Sequence, residues 1–136
     1  MPQQRVLFVC LGNACRSQMA EGFARAYGKD VMIAESAGLA PAMTVPAETR
    51  EAMAEKNIDI SAQFPKPIEI LQPSRFDLIL NMSGYPLPGC PGAIEWKVRD
   101  PIGGTPEQYR AARDQIERLV MNLILELRRN HKTAKS

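Results

Sequence analysis

Histidine is almost absent from this chain, which has one, His131, among its 136 residues. It lies in a polar stretch near the C-terminus, so a Cys-His pair or a Ser-His-Asp triad would have to use a badly placed base. A zinc site made of histidine and cysteine likewise lacks ligands at useful spacing. We therefore expect chemistry that uses neither a histidine nor a metal.

Cysteine, net charge and long apolar runs are also scarce. The 3 cysteines are an odd number, which does not fit the disulfide framework of a secreted domain. A net charge of +2 gives no reason to expect nucleic acid as a partner. No segment approaches the ~20 apolar residues of a membrane span, and no signal peptide is visible. These absences predict a cytoplasmic protein with reduced thiols and with neither a nucleic-acid nor a membrane partner.

Apolar residues form alternating strand and helix patterns along the chain. Residues 5–10 are a near-continuous apolar run, which is typical of a strand buried on both faces of a parallel sheet. A helical pattern follows, with Ser17 as its expected cap and Gly28 as its stop. Further strands are predicted at 31–34, 76–80 and 94–98. Further helices are predicted at 46–56, at a short segment within 65–73, and after the capping residue Thr105.

This order of elements predicts an α/β, three-layer fold, in which a four-stranded parallel sheet is flanked by helices and joined by right-handed crossovers. A length of 136 residues fits one domain, residues 1–136, with a disordered tail from about 131 to 136. No specific signal for self-association is present, so we expect a monomer.

An anion-binding loop is predicted where the first strand ends. There the chain reads Cys10, Leu11, Gly12, Asn13, Ala14, Cys15, Arg16, Ser17. The N–H groups of such a loop, and of the helix that follows, point at an anion. Gly12 has no Cβ to block that anion, and Asn13 tolerates a left-handed conformation. Because the Gly-Lys-Ser/Thr of nucleotide-binding loops is absent, we expect residues 11–16 to bind a phosphate-type oxyanion.

Three side chains make this loop a candidate catalytic site. Cys10 is the expected nucleophile, because the amide dipoles, the helix terminus and Arg16 all stabilise its thiolate. Arg16 can bind two oxyanion oxygens at once with its planar guanidinium. Ser17 can donate a hydrogen bond to the sulfur. Together they predict attack on a tetrahedral oxyanion and stabilisation of the charge that its transition state gains.

Cleavage of an ester also requires an acid for the leaving group. Asp100 follows the fourth predicted strand, at the sheet edge where Cys10 also lies, and Pro101 keeps it extended. We therefore predict Asp100 as the general acid. Glu21, on the first helix, is expected to be structural and could support the loop through a hydrogen bond.

With these residues in view, the sequence resembles the low-molecular-weight protein tyrosine phosphatases and the thioredoxin-coupled arsenate reductases that share their fold. The resemblance rests on the loop at 10–17, on Met-Ala-Glu-Gly at 19–22, on Ser-Ala-Gly at 36–38 and on Asp-Pro at 100–101, in the same order over nearly the whole chain. It implies Cys10 as nucleophile, Arg16 as clamp, Ser17 as thiolate partner and Asn13 as a structural residue. It also implies a phosphocysteine that Asp100 helps to form and to hydrolyse, without metal or cofactor.

The two branches of this superfamily differ in their cysteines. The resemblance implies that, in the reductases, a second cysteine just beyond the third strand attacks the first. A third cysteine about seven residues later then forms a disulfide with the second. Cys90 fits the third position, but Met82 occupies the second, and a thioether cannot attack as a thiolate. We therefore expect a phosphatase that acts on a phosphorylated protein or a small oxyanion.

Other functions stay open. The chain can be an arsenate reductase that uses thioredoxin or a low-molecular-weight thiol in place of the missing cysteine. Two internal redox routes are a direct approach of Cys90 to Cys10, which needs Cα atoms within ~7 Å, and a protective disulfide between Cys15 and Cys10. A thiol-redox or oxyanion sensor with little turnover is a further hypothesis. Gln63 stands where relatives often carry histidine, and the sequence does not explain this change.

Overall fold

The first strand forms the centre of the fold. The structure is a computed structural model that describes residues 3–135, with side chains through Asn130. Strand β1, Gln4–Cys10, pairs with β2, Met32–Gly38, on one side and with β3, Leu78–Asn81, on the other. Its last five residues are buried on both faces of the sheet. This confirms the prediction that the apolar run at 5–10 is a central strand.

The sheet has four parallel strands, as predicted, and the structure shows their order to be β2-β1-β3-β4. Strand β4 is only Ile94–Glu95, so the prediction of a strand over 94–98 was wrong about its length. The Trp96 N–H still donates to the Asn81 carbonyl, 2.9 Å away. Pairing stops there because the chain leaves the sheet and brings the Val98 carbonyl to Arg16. Strand β2 is longer than the predicted 31–34 and runs on to Gly38.

Helices cover one face of the sheet, while a short helix and loops cover the other. The first face packs against α1, Arg16–Tyr27, α2, Ala47–Ala54, and α4, Pro106–Lys135. The second face packs against α3, Ile68–Leu71, and against the loop that follows β3. Alternate residues of β1 belong to the two cores, with Phe8 in the first and Leu7 in the second. The sheet is therefore the middle one of three layers, with a core on each of its faces.

Two helix starts show where the capping predictions succeed and fail. At α4, Thr105 accepts a hydrogen bond from the Gln108 N–H at 3.2 Å, and the Gln108 side chain accepts one from the Thr105 N–H at 2.8 Å. This reciprocal pair confirms the predicted cap. At α1 the prediction was wrong, because the helix begins at Arg16 and Cys15 precedes it without any side-chain cap. The Ser17 hydroxyl is used elsewhere, beside Cys10.

Within residues 3–135, no helix combines the length and the apolar composition needed to cross a membrane. The tail predicted at about 131–136 falls on residues whose side chains lie outside the described part of the chain.

Candidate active site

The loop at residues 11–15 joins β1 to α1 and is held from one side by the chain that follows β2. The N–H groups of Leu39, Ala40 and Ala42 donate to the carbonyls of residues 10, 11 and 12, at 3.2, 2.8 and 2.9 Å. The N–H groups of residues 12–15 have no hydrogen-bond partner within the described part of the chain. The loop is therefore fixed through its carbonyls, which leaves a set of donors unpaired.

Asn13 is the internal support of this loop. It is fully buried and has a positive φ of 49°, a conformation that asparagine tolerates better than most residues. Its Nδ2 donates to the Ser17 hydroxyl at 2.7 Å, and its Oδ1 accepts from the Lys66 N–H at 3.0 Å. The Ser17 Oγ in turn lies 2.9 Å from the Cys10 Sγ. One chain of contacts thus runs from the loop at residue 66 to the sulfur.

Arg16 spans the carboxyl ends of β3 and β4. Its side chain is buried, and Nη1 donates to the Met82 and Val98 carbonyls, the latter at 3.1 Å. Its Nη2 lies 3.5 Å from the Asp100 Oδ2. Its Nε is buried with no hydrogen-bond partner within the described residues. An unpaired buried donor lowers stability by about 1–3 kcal/mol. A ligand oxygen that accepts a hydrogen bond from this Nε would remove that cost.

Asp100 lies at the rim of the site. Its side chain is 43% exposed, so it contacts solvent as well as Arg16. Its Oδ1 accepts the N–H of Ile102 at 3.0 Å, which fixes the carboxylate in a turn. The structure therefore brings Asp100, 84 positions along the chain from Arg16, to the Arg16 guanidinium.

Cys15 is part of the core. Its thiol is buried and lies 3.9 Å from the Met19 sulfur. Burial raises the pKa of the Cys15 thiol to about 12, which the nearby Thr49 side chain opposes only in part. Thiolate formation there is unfavourable, so the side chain is a poor redox group. Of the two interpretations of Cys15, the geometry favours a loop residue that contributes its N–H.

Cys90 and Met82 lie on opposite sides of the sheet. Met82 is buried in the same core as Cys10, where it contributes a carbonyl to Arg16. Cys90 packs against the second core, and its N–H donates to the Leu87 carbonyl at 3.2 Å. The sheet therefore stands between Cys90 and Cys10. In this conformation, a direct Cys90–Cys10 route would require the loop after β3 to rearrange.

Two polar residues at the start of α1 contact the loop or its supports in ways that the sequence did not reveal. Gln18 is fully buried, and its Nε2 donates to the Asn13 carbonyl at 2.9 Å, while Gln63 donates to Gln18. Glu21 does not bond to the loop, contrary to the alternative considered above, but accepts the Ser36 hydroxyl at 2.5 Å and pairs with Arg25 at 2.7 Å. The sequence did contain a signal for the role of Gln18. A glutamine that lies among apolar residues at a helix start is expected to be buried and therefore to need hydrogen-bond partners.

Comparison with known proteins agrees with this geometry. The family model of low molecular weight phosphotyrosine protein phosphatases matches residues 5–133. The glutaredoxin arsenate reductase of Synechocystis sp. is 36% identical over 131 residues, which cover 91% of this chain and 98% of that protein.

Solved structures give the same result. An arsenate reductase in a phosphate-binding state has 34% identity and a TM-score of 0.84, with 92% of this chain and 99% of that one covered. An arginine phosphatase from Geobacillus stearothermophilus has 25% identity and a TM-score of 0.85, with 96% of each chain covered. Both are enzymes, and both share the four-stranded sheet and its flanking helices. This chain is an enzyme of the low molecular weight phosphotyrosine protein phosphatase family.

Proposed function

We propose that this chain is a phosphomonoester hydrolase that works through a phosphocysteine on Cys10. The observation that carries this proposal is the ion pair between Asp100 and Arg16, at the sheet edge where β1 ends at Cys10. An oxyanion binder needs no acid at the mouth of its site, whereas cleavage of an ester requires one. The substrate class is a phosphorylated protein or a small phosphate ester.

The nucleophile is prepared by its neighbours. Because the Ser17 Oγ accepts a hydrogen bond from Asn13 at 2.7 Å, its own proton is free to point at the Cys10 sulfur, 2.9 Å away. A hydroxyl that donates to the sulfur stabilises the thiolate form. In the first step the thiolate attacks phosphorus, and the bond from phosphorus to the ester oxygen breaks.

The unpaired donors bind the phosphoryl oxygens. The N–H groups of residues 12–15, the start of α1 and the free Nε of Arg16 supply hydrogen bonds and positive potential at one place. Since these donors are fixed before the substrate arrives, they stabilise the extra charge of the transition state without reorganising.

Asp100 serves both halves of the reaction. As an acid it gives its proton to the leaving ester oxygen. As a carboxylate it then takes a proton from the water that attacks phosphorus, so that Cys10 leaves as a thiolate and inorganic phosphate is released. The Ile102 N–H, 3.0 Å from the Asp100 Oδ1, keeps the side chain at the rim, and Arg16, 3.5 Å from its Oδ2, pairs with the carboxylate form.

The test is hydrolysis of p-nitrophenyl phosphate by the purified chain. Asp100→Asn should lower kcat by about 10²–10⁴-fold, the usual contribution of a general acid. Asp59→Asn is the matched control, because Asp59 also accepts an N–H two residues on, from Ser61, at a site without Arg16. Cys10→Ser should abolish turnover and the phosphocysteine trapped by acid quench. Full turnover in Asp100→Asn would contradict the proposal.

A second candidate is arsenate reduction with an outside thiol, which the relative named glutaredoxin arsenate reductase favours. Cys10 would displace a hydroxide from arsenate to form a thiol ester. The outside thiol would then attack the Cys10 sulfur, so that arsenic keeps the electron pair and leaves as arsenite. A second thiol would reduce the resulting mixed disulfide. No second cysteine of this chain takes part.

The two candidates are separated by running arsenate with thioredoxin, with glutaredoxin plus glutathione, and with glutathione alone. Arsenate turnover well above p-nitrophenyl phosphate hydrolysis would reverse the order of the candidates. Arsenate turnover that is lost in Cys90→Ser would show that the loop after β3 moves and that an internal route exists.

A further inference from the structure

Asn13, in the loop at residues 11–15, accepts two hydrogen bonds that depend on the segment at 63–66, one from that segment itself and one from Gln18, which the segment contacts. One is the Lys66 N–H, which donates to the Asn13 side chain. The other passes through Gln18, whose Nε2 donates to the Asn13 carbonyl at 2.9 Å. Gln63 Nε2 donates to the Gln18 Oε1 at 2.8 Å and to the Gln18 carbonyl at 3.0 Å.

The Gln18 side chain has two possible orientations. An amide has an oxygen that accepts and a nitrogen that donates, and the two ends have nearly the same size. Only one orientation places the nitrogen against the Asn13 carbonyl. The reverse would put two oxygens, each an acceptor, against each other in a buried place, which leaves both unpaired.

We propose that Gln63 is a positioning residue that fixes the orientation of the Gln18 amide and, through it, the conformation of Asn13. A donor at position 63 keeps the Gln18 oxygen turned outward and its nitrogen turned towards the loop. Asn13 is the residue with a φ of 49°, and its side chain holds Ser17 against Cys10. This inference rests on the proposed use of the loop for oxyanion chemistry.

Two substitutions at position 63 separate loss of this contact from its reversal. Gln63→Met keeps the length of the side chain and removes the donor, so that both orientations of Gln18 become available. Gln63→Glu keeps the shape and offers only acceptors, so that Gln18 turns its nitrogen outward and its oxygen towards Asn13. We expect kcat/KM to fall by about threefold in the first and about tenfold in the second, as for one lost and one reversed hydrogen bond.

Three readouts distinguish positioning from a general loss of structure. The inhibition constant of inorganic phosphate should rise, but by a smaller factor than kcat/KM falls. The larger part of the loss should appear in kcat, because the loop donors act most strongly in the transition state. The rate of alkylation of Cys10 by iodoacetate should fall in the same order. The thermal midpoint reports stability separately. A lower midpoint with unchanged phosphate inhibition would mean that Gln63 is only structural.

A charge effect is controlled in two ways. Gln72→Glu adds the same charge at a residue that contacts Arg75 at the far end of β3, and we expect wild-type kinetics. An effect of charge alone in Gln63→Glu should also disappear at high salt. A tenfold loss that disappears at 0.5 M salt would overturn the proposal.

The decisive experiment is a double-mutant cycle with Gln18→Met. If Gln63 acts through Gln18, then Gln63→Met in that background should change kcat/KM and phosphate inhibition by less than about 1.5-fold. Equal effects in both backgrounds would refute the route through Gln18. If Gln18→Met does not fold, the order of kcat/KM decides instead. We expect it to fall from the wild type to Gln63→Met and again to Gln63→Glu, and an equal or reversed order refutes the proposal.

The proposed function can fail without this inference. If the wild-type chain hydrolyses no aryl phosphate, protection of Cys10 by phosphate against iodoacetate still measures the loop. The label is counted on the Cys10 peptide, because Cys15 and Cys90 are also free thiols. Unchanged protection in Gln63→Glu would then overturn the inference.

Discussion

Gly38 ends β2 in direct contact with the loop at residues 11–15, the proposed anion-binding loop, and Gly38→Ala is the sharpest test of how tightly the two are packed. A Cβ at this position would lie 2.9 Å from the Asn13 Cβ, 2.9 Å from the Asn13 nitrogen and 2.9 Å from the Leu11 oxygen. Two of these three atoms belong to the main chain, so no side-chain rotation relieves the contact. Forcing an extra methyl group into a packed site costs about 1–3 kcal/mol.

We expect the loop, rather than the strand, to shift in response to the added methyl group. Strand β2 is fixed to β1 by seven paired positions, whereas the loop has fewer fixed contacts. We therefore expect the thermal midpoint to fall by ~3–10 °C and kcat/KM to fall by at least about tenfold, since small displacements of a catalytic group are expensive. Phosphate inhibition should weaken together with kcat/KM.

Gly92→Ala is the matched control. A Cβ there would meet no heavy atom within 4 Å, and we expect stability within about 0.5 kcal/mol of the wild type and full activity. Wild-type stability and turnover in Gly38→Ala would refute the close packing. A loss of stability with wild-type kcat/KM would show that the strand moves and the loop does not.

Three further predictions follow from single contacts. Ser17→Ala removes the hydroxyl 2.9 Å from the Cys10 sulfur, and kcat for p-nitrophenyl phosphate should fall by about 10–100-fold, as for a hydrogen bond to a charged group; an unchanged kcat would refute the role of Ser17. Cys15, with its pKa raised to about 12 by burial, should stay unlabelled by iodoacetamide at pH 8 in the native protein, as checked by peptide mass spectrometry. Ion pairs with Arg110 and Arg113 lower the pKa of Glu55 to about 2 from 4.5, so the stability that these pairs contribute is fully present above pH 4.5 and is lost as the pH falls through 2. The thermal midpoint of Glu55→Gln should therefore lie below that of the wild type at pH 7, and the gap should close towards pH 2; a gap that is constant with pH would contradict this.

The central strand and the loop after it could be predicted because their signals are local. A strand buried on both faces must be apolar at every position, and residues 5–10 meet that condition. A glycine and an asparagine after it mark the turn. Parallel strands bring the ends of β1 and β4 to one edge of the sheet, but β4 ends at Glu95, and Asp100 reaches Arg16 on the segment that has left the sheet.

The supports of the loop could not be predicted, because they depend on contacts between distant residues. Gln63 lies 45 positions from Gln18, and Lys66 lies 53 positions from Asn13. No periodicity or turn signal connects such pairs. The side on which Cys90 packs has the same cause, since it depends on how a loop rich in proline and glycine folds over the second core.

Met82 contributes to the candidate site through its main chain rather than through its side chain. What residue 82 gives to the site is a main-chain carbonyl, which accepts from Arg16, and any residue type supplies that group. The side chain at this position packs into the same core as Cys10, which the flexible thioether of a methionine can fill without supplying a thiol. The carbonyl that binds Arg16 and the side chain are therefore separable features of position 82. Introducing a thiol with Met82→Cys should leave the Arg16 contacts intact and aryl phosphate hydrolysis within about threefold of the wild type, because only side-chain packing changes. A collapse of hydrolysis in that variant would show that the two features are coupled.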